Sequence, residues 1–167
     1  MKKHSVPAVL AIGGNLGDRQ ANIEAAVSAL ADTKGVKVRG LSPLVESFAV
    51  TAAGVDETKP NYINAVVKVD TKLKPKKLLK EVRRIESELG RVRIERWGSR
   101  TMDIDIVTYA DVVKSTKKLE LPHPRAYQRA FVLVPWSMLD EQAVLPGHGA
   151  VSDLAAAIKN DVWVVKQ

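Results

Sequence analysis

The sequence contains no cysteine. That excludes a disulfide framework, a thiolate zinc site and a cysteine nucleophile. Aromatic residues are scarce, at 3 Trp, 3 Tyr and 2 Phe, and no aromatic pair falls in an RNA-recognition pattern. No apolar run approaches the roughly 20 residues that a membrane helix needs. The short apolar stretch after Met1-Lys2-Lys3-His4 lacks the cleavage site of a signal peptide. Gly13-Gly14-Asn15-Leu16-Gly17-Asp18 is not followed by the Gly-Lys-Ser/Thr of a phosphate loop, and the dinucleotide fingerprint is also missing. Internal repeats, low-complexity tracts and linkers are absent. The expectation is one cytoplasmic domain over residues 1–167, without a membrane segment.

What the chain does have is positive charge, a net +7. The excess lies wholly in residues 68–100, which hold 12 basic and 5 acidic groups, while the other 134 residues balance. A local excess of this kind suits an anionic partner. Within the window, Lys68 to Lys80 is lysine-rich, and Arg91, Arg93, Arg96 and Arg100 form a run in the stretch that follows.

Apolar patterning orders the elements. Val6 to Ile12 reads as a buried strand and Arg19 to Ala31 as a helix capped by Asp18. Val36 to Gly40 reads as a strand, with Leu44 to Val50 continuing its extended path past Ser42-Pro43. Thr51 to Pro60 has turn composition and reads as a long loop. Tyr62 to Val69 reads as a strand. A helix opens at Pro75, carries Leu78, Val82, Ile85 and Leu89 on one stripe, and ends at Gly90. Residues 90–101 read as a loop, Met102 to Tyr109 as a strand, Ala126 to Leu139 and Ser152 to Lys159 as helices, and Val162 to Val165 as a terminal strand or tail. The β-α-β-β-α-β order predicts an α+β fold, with one mixed or antiparallel sheet and helices on its faces.

Asp103 and Asp105 stand at i and i+2 on a strand, so both point to one face. Adjacent carboxylates repel unless solvent or a hard cation separates them. Mg²⁺ takes oxygen ligands and completes its shell with phosphate. The neighbouring arginines match phosphate oxygens bidentately. Carboxylates, metal and arginines together are the parts of phosphoryl transfer. A solvated basic loop or a nucleic-acid patch explains the arginines alone, so a basic α+β RNA- or DNA-binding module is the competing reading. Trp97 sits among the arginines and either stacks on a substrate or plugs the loop. His123, between two prolines, and Arg129 are either phosphate ligands or structural. Tyr62 and Asn64 share a strand face and suit a flat heterocycle, or an ordinary sheet.

Gly90-Arg91-Val92-Arg93, with Arg96-Trp97-Gly98-Ser99-Arg100-Thr101-Met102-Asp103-Ile104-Asp105-Ile106, resembles the signature of the 6-hydroxymethyl-7,8-dihydropterin pyrophosphokinase family. Ala11 to Gly17, Tyr62-Ile63-Asn64-Ala65 and Leu121-Pro122-His123-Pro124 with Arg129-Ala130-Phe131 are similar to its other motifs, in the family's order. The resemblance implies a ferredoxin-like core, a mostly antiparallel sheet in a three-layer α-β-α arrangement. It implies transfer of pyrophosphate from ATP to the pterin hydroxymethyl oxygen, with release of AMP. Asp103 and Asp105 would hold two Mg²⁺ ions, and Arg91 and Arg100 would assist transfer. Glu86, Arg93, Arg96, Ile106, His123 and Arg129 would lie around ATP. Ser47, Val50, Tyr62, Asn64, Trp97 and Phe131 would form the pterin slot. The partners implied are the two small molecules, with a monomer acting alone or beside other folate-pathway enzymes. Glu46 to Val50 departs from the Thr and Pro that family members more often carry.

Overall fold

The computed structural model describes residues 4–51, 53–90, 102–158 and 161–166. In chain order the elements begin with β1 (Val6–Gly14), α1 (Arg19–Asp32), β2 (Val36–Leu41), β3 (Val45–Ser47), β4 (Ala49–Thr51), β5 (Gly54–Asp56), β6 (Tyr62–Thr71) and α2 (Pro75–Glu88). They continue with β7 (Asp103–Tyr109), β8 (Lys114–Ser115), β9 (Glu120–Leu121), a 3-10 turn (Ala126–Gln128), α3 (Ala130–Leu139), β10 (Val144–Leu145), β11 (Gly149–Ala150), α4 (Val151–Ala157) and β12 (Val162–Val164).

The main sheet runs β12-β3-β6-β1-β7, with β2 also on β6, and every pairing is antiparallel. Its core order β2-β6-β1-β7 is that of a ferredoxin-like βαββαβ unit, as expected. The ten-residue β6 pairs with β1 along nine positions. Its other edge is shared, β2 taking the C-terminal half and β3 the N-terminal half. Pro43 cannot donate to a ladder, so the edge strand breaks there. Ser42 bridges the break: its N–H donates to Val66 C=O at 2.9 Å and its Oγ accepts from Val66 N–H at 2.8 Å.

Alternation along the strands makes two cores. Leu10, Ile12, Ala65, Val67, Ile104 and Ile106 face α1 and α2, where they meet Ile23, Leu30, Leu78, Val82 and Ile85. Val9, Val66 and Val107 face α3 and α4, against Val132, Leu133, Trp136 and Val151. The helix signals read in the sequence are present. Asp18 accepts from Ala21 N–H at 3.1 Å, Pro75 opens α2, and Gly90 follows it at φ +83°.

Three expectations need correction. Thr51 to Pro60 is not an open loop, because β4 and β5 pair as a short hairpin ending in an Asp56 turn that accepts from Thr58 N–H at 2.9 Å. The helix expected from Ala126 breaks at Arg129, which is extended at φ −106°, ψ 107°. The terminal helix, expected from Ser152, begins one residue earlier at Val151 and has no side-chain cap. No helix among the described residues is long and apolar enough to cross a membrane.

Candidate active site

The face of the sheet toward α3 opens into a cavity of about 580 Å³. Its floor is set by register. Gly13 of β1 pairs with Asn64 on one side and Asp103 on the other. Ala11 likewise lies between Val66 and Asp105. Residues directly opposite in a sheet share a face, so Asn64, Asp103 and Asp105 project into one space across a central strand of small residues. Gly13 is required there. A Cβ at that position would stand 2.0 Å from Asn64 Oδ1 and 2.8 Å from the Ile63 carbonyl oxygen. The glycine thus lets the Asn64 carboxamide lie over β1, toward the strand that carries the aspartates.

Two residues further along β6, Tyr62 pairs with Ser47, and both line the cavity. Arg129, Ala130 and Phe131 form the opposite wall. The break before α3 places them there, since an uninterrupted helix would carry Arg129 on a different bearing. Arg129 Cζ lies 5.4 Å from the Phe131 ring centroid, a cation–π contact. Its Nη1 is 3.9 Å from Asp105 Oδ2.

His123 reaches the same carboxylate from below. In the β1–β7 ladder Val107 is the extra residue of a bulge, and its carbonyl accepts from His123 N–H at 2.8 Å. His123 Nδ1 accepts from Arg125 N–H at 3.2 Å, which leaves the proton on Nε2, 3.9 Å from Asp105 Oδ2. Burial, then the positive charges of Arg129 and Arg125, push the His123 imidazolium down to about 4, against a smaller opposite pull from Asp103 and Glu120. The ring is neutral at pH 7, so its contact with Asp105 is dipolar and not an ion pair.

Asp103 and Asp105 fit a hard cation. They offer carboxylate oxygens on one face of a partly open cavity, beside cationic groups that suit phosphate. Among the described residues no third His, Cys, Asp or Glu completes a metal cluster. A two-carboxylate site is a partial shell, of the kind Mg²⁺ shares with substrate phosphates and water.

Other expected site residues stand elsewhere. Glu86 does not line the cavity. It is 2% exposed, and its Oε2 accepts from Ile104 N–H at 2.8 Å while Oε1 accepts from Arg83 at 2.7 Å. Both bonds act on the α2 side: the first holds β7 to that helix, and the second runs within the helix. Ile106 is in the core facing α1 and α2, so its side chain points away from the cavity. Arg91, Arg93, Arg96, Trp97 and Arg100 lie outside the described residues, as does the side chain of Val50. The motifs missed Phe48, Val55, Arg125, Gln128, Asp161 and Val162, all of which line the cavity. A sequence signal existed only for Arg125 and Gln128, which lie between His123 and Arg129.

A ferredoxin-like sheet presenting paired carboxylates, an arginine and aromatic walls on one face is the build of a metal-assisted phosphoryl-transfer enzyme. Comparison with known proteins narrows the class. Residues 9–141 match the family described as 7,8-dihydro-6-hydroxymethylpterin-pyrophosphokinase, and the chain belongs to that family. A Haemophilus influenzae 2-amino-4-hydroxy-6-hydroxymethyldihydropteridine pyrophosphokinase is 35% identical over 149 residues, covering 89% of this chain and 91% of the relative. The Methylorubrum extorquens protein of the same name is 38% identical over 148 residues, covering 89% and 91%. The fold matches the crystal structure of Plasmodium falciparum HPPK-DHPS with pteroate at TM-score 0.70 and 13% identity, covering 93% of this chain and 43% of that one.

Proposed function

We propose that the cavity on the α3 face is where this family member moves pyrophosphate from ATP to the hydroxymethyl group of 6-hydroxymethyl-7,8-dihydropterin, with release of AMP. The observation that carries this is the row Asn64–Gly13–Asp103, which puts an amide able to read a heterocycle beside the carboxylates of Asp103 and Asp105. Tyr62 and Phe131 supply ring faces for the pterin, and Asn64 offers its edge a donor and an acceptor. Ser47, and by family resemblance Val50 and Trp97, complete that end. Arg129 and the Nε2–H of neutral His123 meet the phosphates near Asp105. By the same resemblance Arg93 and Arg96 join them, and Arg91 and Arg100 neutralise charge as the bond breaks.

Asp103 and Asp105 would hold two Mg²⁺ ions, which when bound spread the phosphate charge and lower the pKa of the hydroxyl. The chain's part is positioning. The hydroxymethyl oxygen forms a bond to the β-phosphorus, the bond from that phosphorus to the oxygen bridging to the α-phosphate breaks, and the proton of the hydroxyl is lost to solvent. No covalent intermediate on the protein is required, because alignment and charge neutralisation supply most of the rate. Ile106 supports the site only through the backbone of β7. Glu86 acts from behind, fixing Ile104 between the two aspartates.

We take residues 1–167 as one such domain, a cytoplasmic monomer acting on small molecules. Neither the family match nor the cavity supports the nucleic-acid-binding reading. The test is incubation with ATP, Mg²⁺ and 6-hydroxymethyl-7,8-dihydropterin, followed by nucleotide analysis. AMP in equal amount to pterin pyrophosphate is expected, and ADP or no turnover would overturn the proposal.

A further inference from the structure

The substrate end of the cavity has an outer wall that lies partly beyond the matched family segment of residues 9–141. Phe48 is on that wall, beside Ser47 and Tyr62. Against Phe48 stands Trp163 of β12, edge to face, with ring centroids 5.3 Å apart and planes at 66°. Trp163 is held from its other side. Its Nε1–H donates to Glu46 Oε1 at 3.0 Å, and Glu46 Oε2 accepts from Arg19 at 2.6 Å. Arg19 also donates to the Asn61 carbonyl at 2.8 Å, one residue before Tyr62. The backbone adds register, since β12 pairs Trp163 with Glu46 and Val162 with Ser47.

The two rings are 37% and 39% exposed. Burial therefore does not hold them in place as it holds a core aromatic pair. What fixes Trp163 is the polar chain Arg19–Glu46–Trp163, and what Trp163 fixes is Phe48.

We propose that Trp163 is a positioning residue for the flat heterocyclic substrate, holding the Phe48 ring against the substrate end of the cavity through the Arg19–Glu46–Trp163 chain. This rests on the pyrophosphokinase reading of the cavity. An edge-to-face aromatic contact is worth about two- to twelvefold in an equilibrium constant, so the effect belongs in substrate affinity and not in the chemical step.

Steady-state kinetics on the full chain test it, with ATP and the dihydropterin varied separately. Trp163→Leu is expected to raise the pterin KM about fivefold, with kcat and the ATP KM within about twofold of the unaltered chain. Trp163→Phe keeps a ring against Phe48 and recovers most of that affinity. Glu46→Gln keeps one acceptor oxygen, enough for Trp163 or Arg19 but not for both, and raises the pterin KM less. Phe48→Leu raises it as Trp163→Leu does, and the double variant raises it no further, because the tryptophan acts through the phenylalanine. The proposal is overturned if Trp163→Leu leaves the pterin KM unchanged, if the two effects multiply, or if kcat and both KM values change together. Absence of turnover in the unaltered chain would overturn the reading of the cavity itself.

Discussion

The two faces of the central sheet are built from alternate residues of the same strands, yet they do different work. On β7, Ile104 and Ile106 enter the core under α1 and α2, while Asp103 and Asp105 open into the cavity under α3. On β6, Ile63 and Ala65 are core, while Tyr62 and Asn64 line the cavity. On β1, Leu10 and Ile12 are large and buried, while Ala11 and Gly13 are small and form the cavity floor. One face is packed hydrocarbon that supplies stability. The other leaves that packing incomplete so that polar groups converge. Register makes the division strict, since a slip of one residue would bury Asp103 and Asp105 and expose the isoleucines.

Substitutions on the two faces should therefore separate activity from stability. The largest expected effect is Asp103→Ala. Turnover should fall by about a thousandfold or more, as loss of a group that stabilises transition-state charge does, with the melting temperature little changed. Turnover measured at ordinary Mg²⁺ that stays near the unaltered level would erase the contrast. Next is Leu10→Ala, on the core face of β1. Its side chain is wholly buried, and truncation should cost about 2–5 kcal/mol in denaturant unfolding. The pterin and ATP KM values of the remaining folded protein should be unaltered. A shifted KM with unaltered stability would mean the faces are exchanged.

A smaller effect is expected at His123, beside Asp105 on the α3 face. His123 has an unfolded value of 6.5 and is pushed down to about 4 in the fold, chiefly by burial. The unfolded chain therefore binds the proton more readily. The stability from keeping this ring neutral is complete above pH 6.5 and is lost as pH falls toward 4. The upper bound is about 3 kcal/mol. Melting temperatures of metal-free protein between pH 7 and pH 4 should show a steeper decline than those of His123→Asn, and parallel slopes would contradict the burial of this ring. The smallest effect is expected at Lys76→Ala. Lys76 is exposed on α2, and its loss should change stability by no more than about 0.5 kcal/mol and leave kcat intact. A severalfold drop in kcat would show that the lysine-rich end of residues 68–100 takes part directly.

The core face was legible in the sequence because it follows simple periods. Ile23, Ala26 and Leu30 of α1, and Leu78, Val82 and Ile85 of α2, are spaced as one helical stripe, and all six are buried. Asp103 and Asp105 were legible for the same reason, since strict alternation fixes their shared face. Less was visible where long-range pairing decides. Nothing local marks Trp163 as the partner of Glu46, 117 positions away. Thr51 to Pro60 has turn composition, but a two-strand hairpin, here β4 with β5, uses the same residue types at its tip. Gly13 stands in a glycine-rich stretch after the first apolar run. Its role as the floor under Asn64 appears only when β1 and β6 are in register. Family resemblance put Glu86 around ATP; in the fold it is buried and accepts from Ile104 N–H and from Arg83. Charge was a partial guide. Arg83 and Arg84 belong to the basic window, yet Glu86, Glu81 and Glu88 take them up along α2.

The division of labour between the faces is tested most directly by neighbours on one strand. Ile104→Ala and Asp105→Ala differ by one position on β7 and by the face they occupy. Each variant is melted and assayed for AMP release with ATP, Mg²⁺ and 6-hydroxymethyl-7,8-dihydropterin. Ile104→Ala should lose about 2–5 kcal/mol of stability while its folded fraction turns over normally. Asp105→Ala should melt near the unaltered protein and release no measurable AMP. Substantial AMP release by Asp105→Ala, or loss of turnover in folded Ile104→Ala, would contradict the assignment of chemistry to the α3 face.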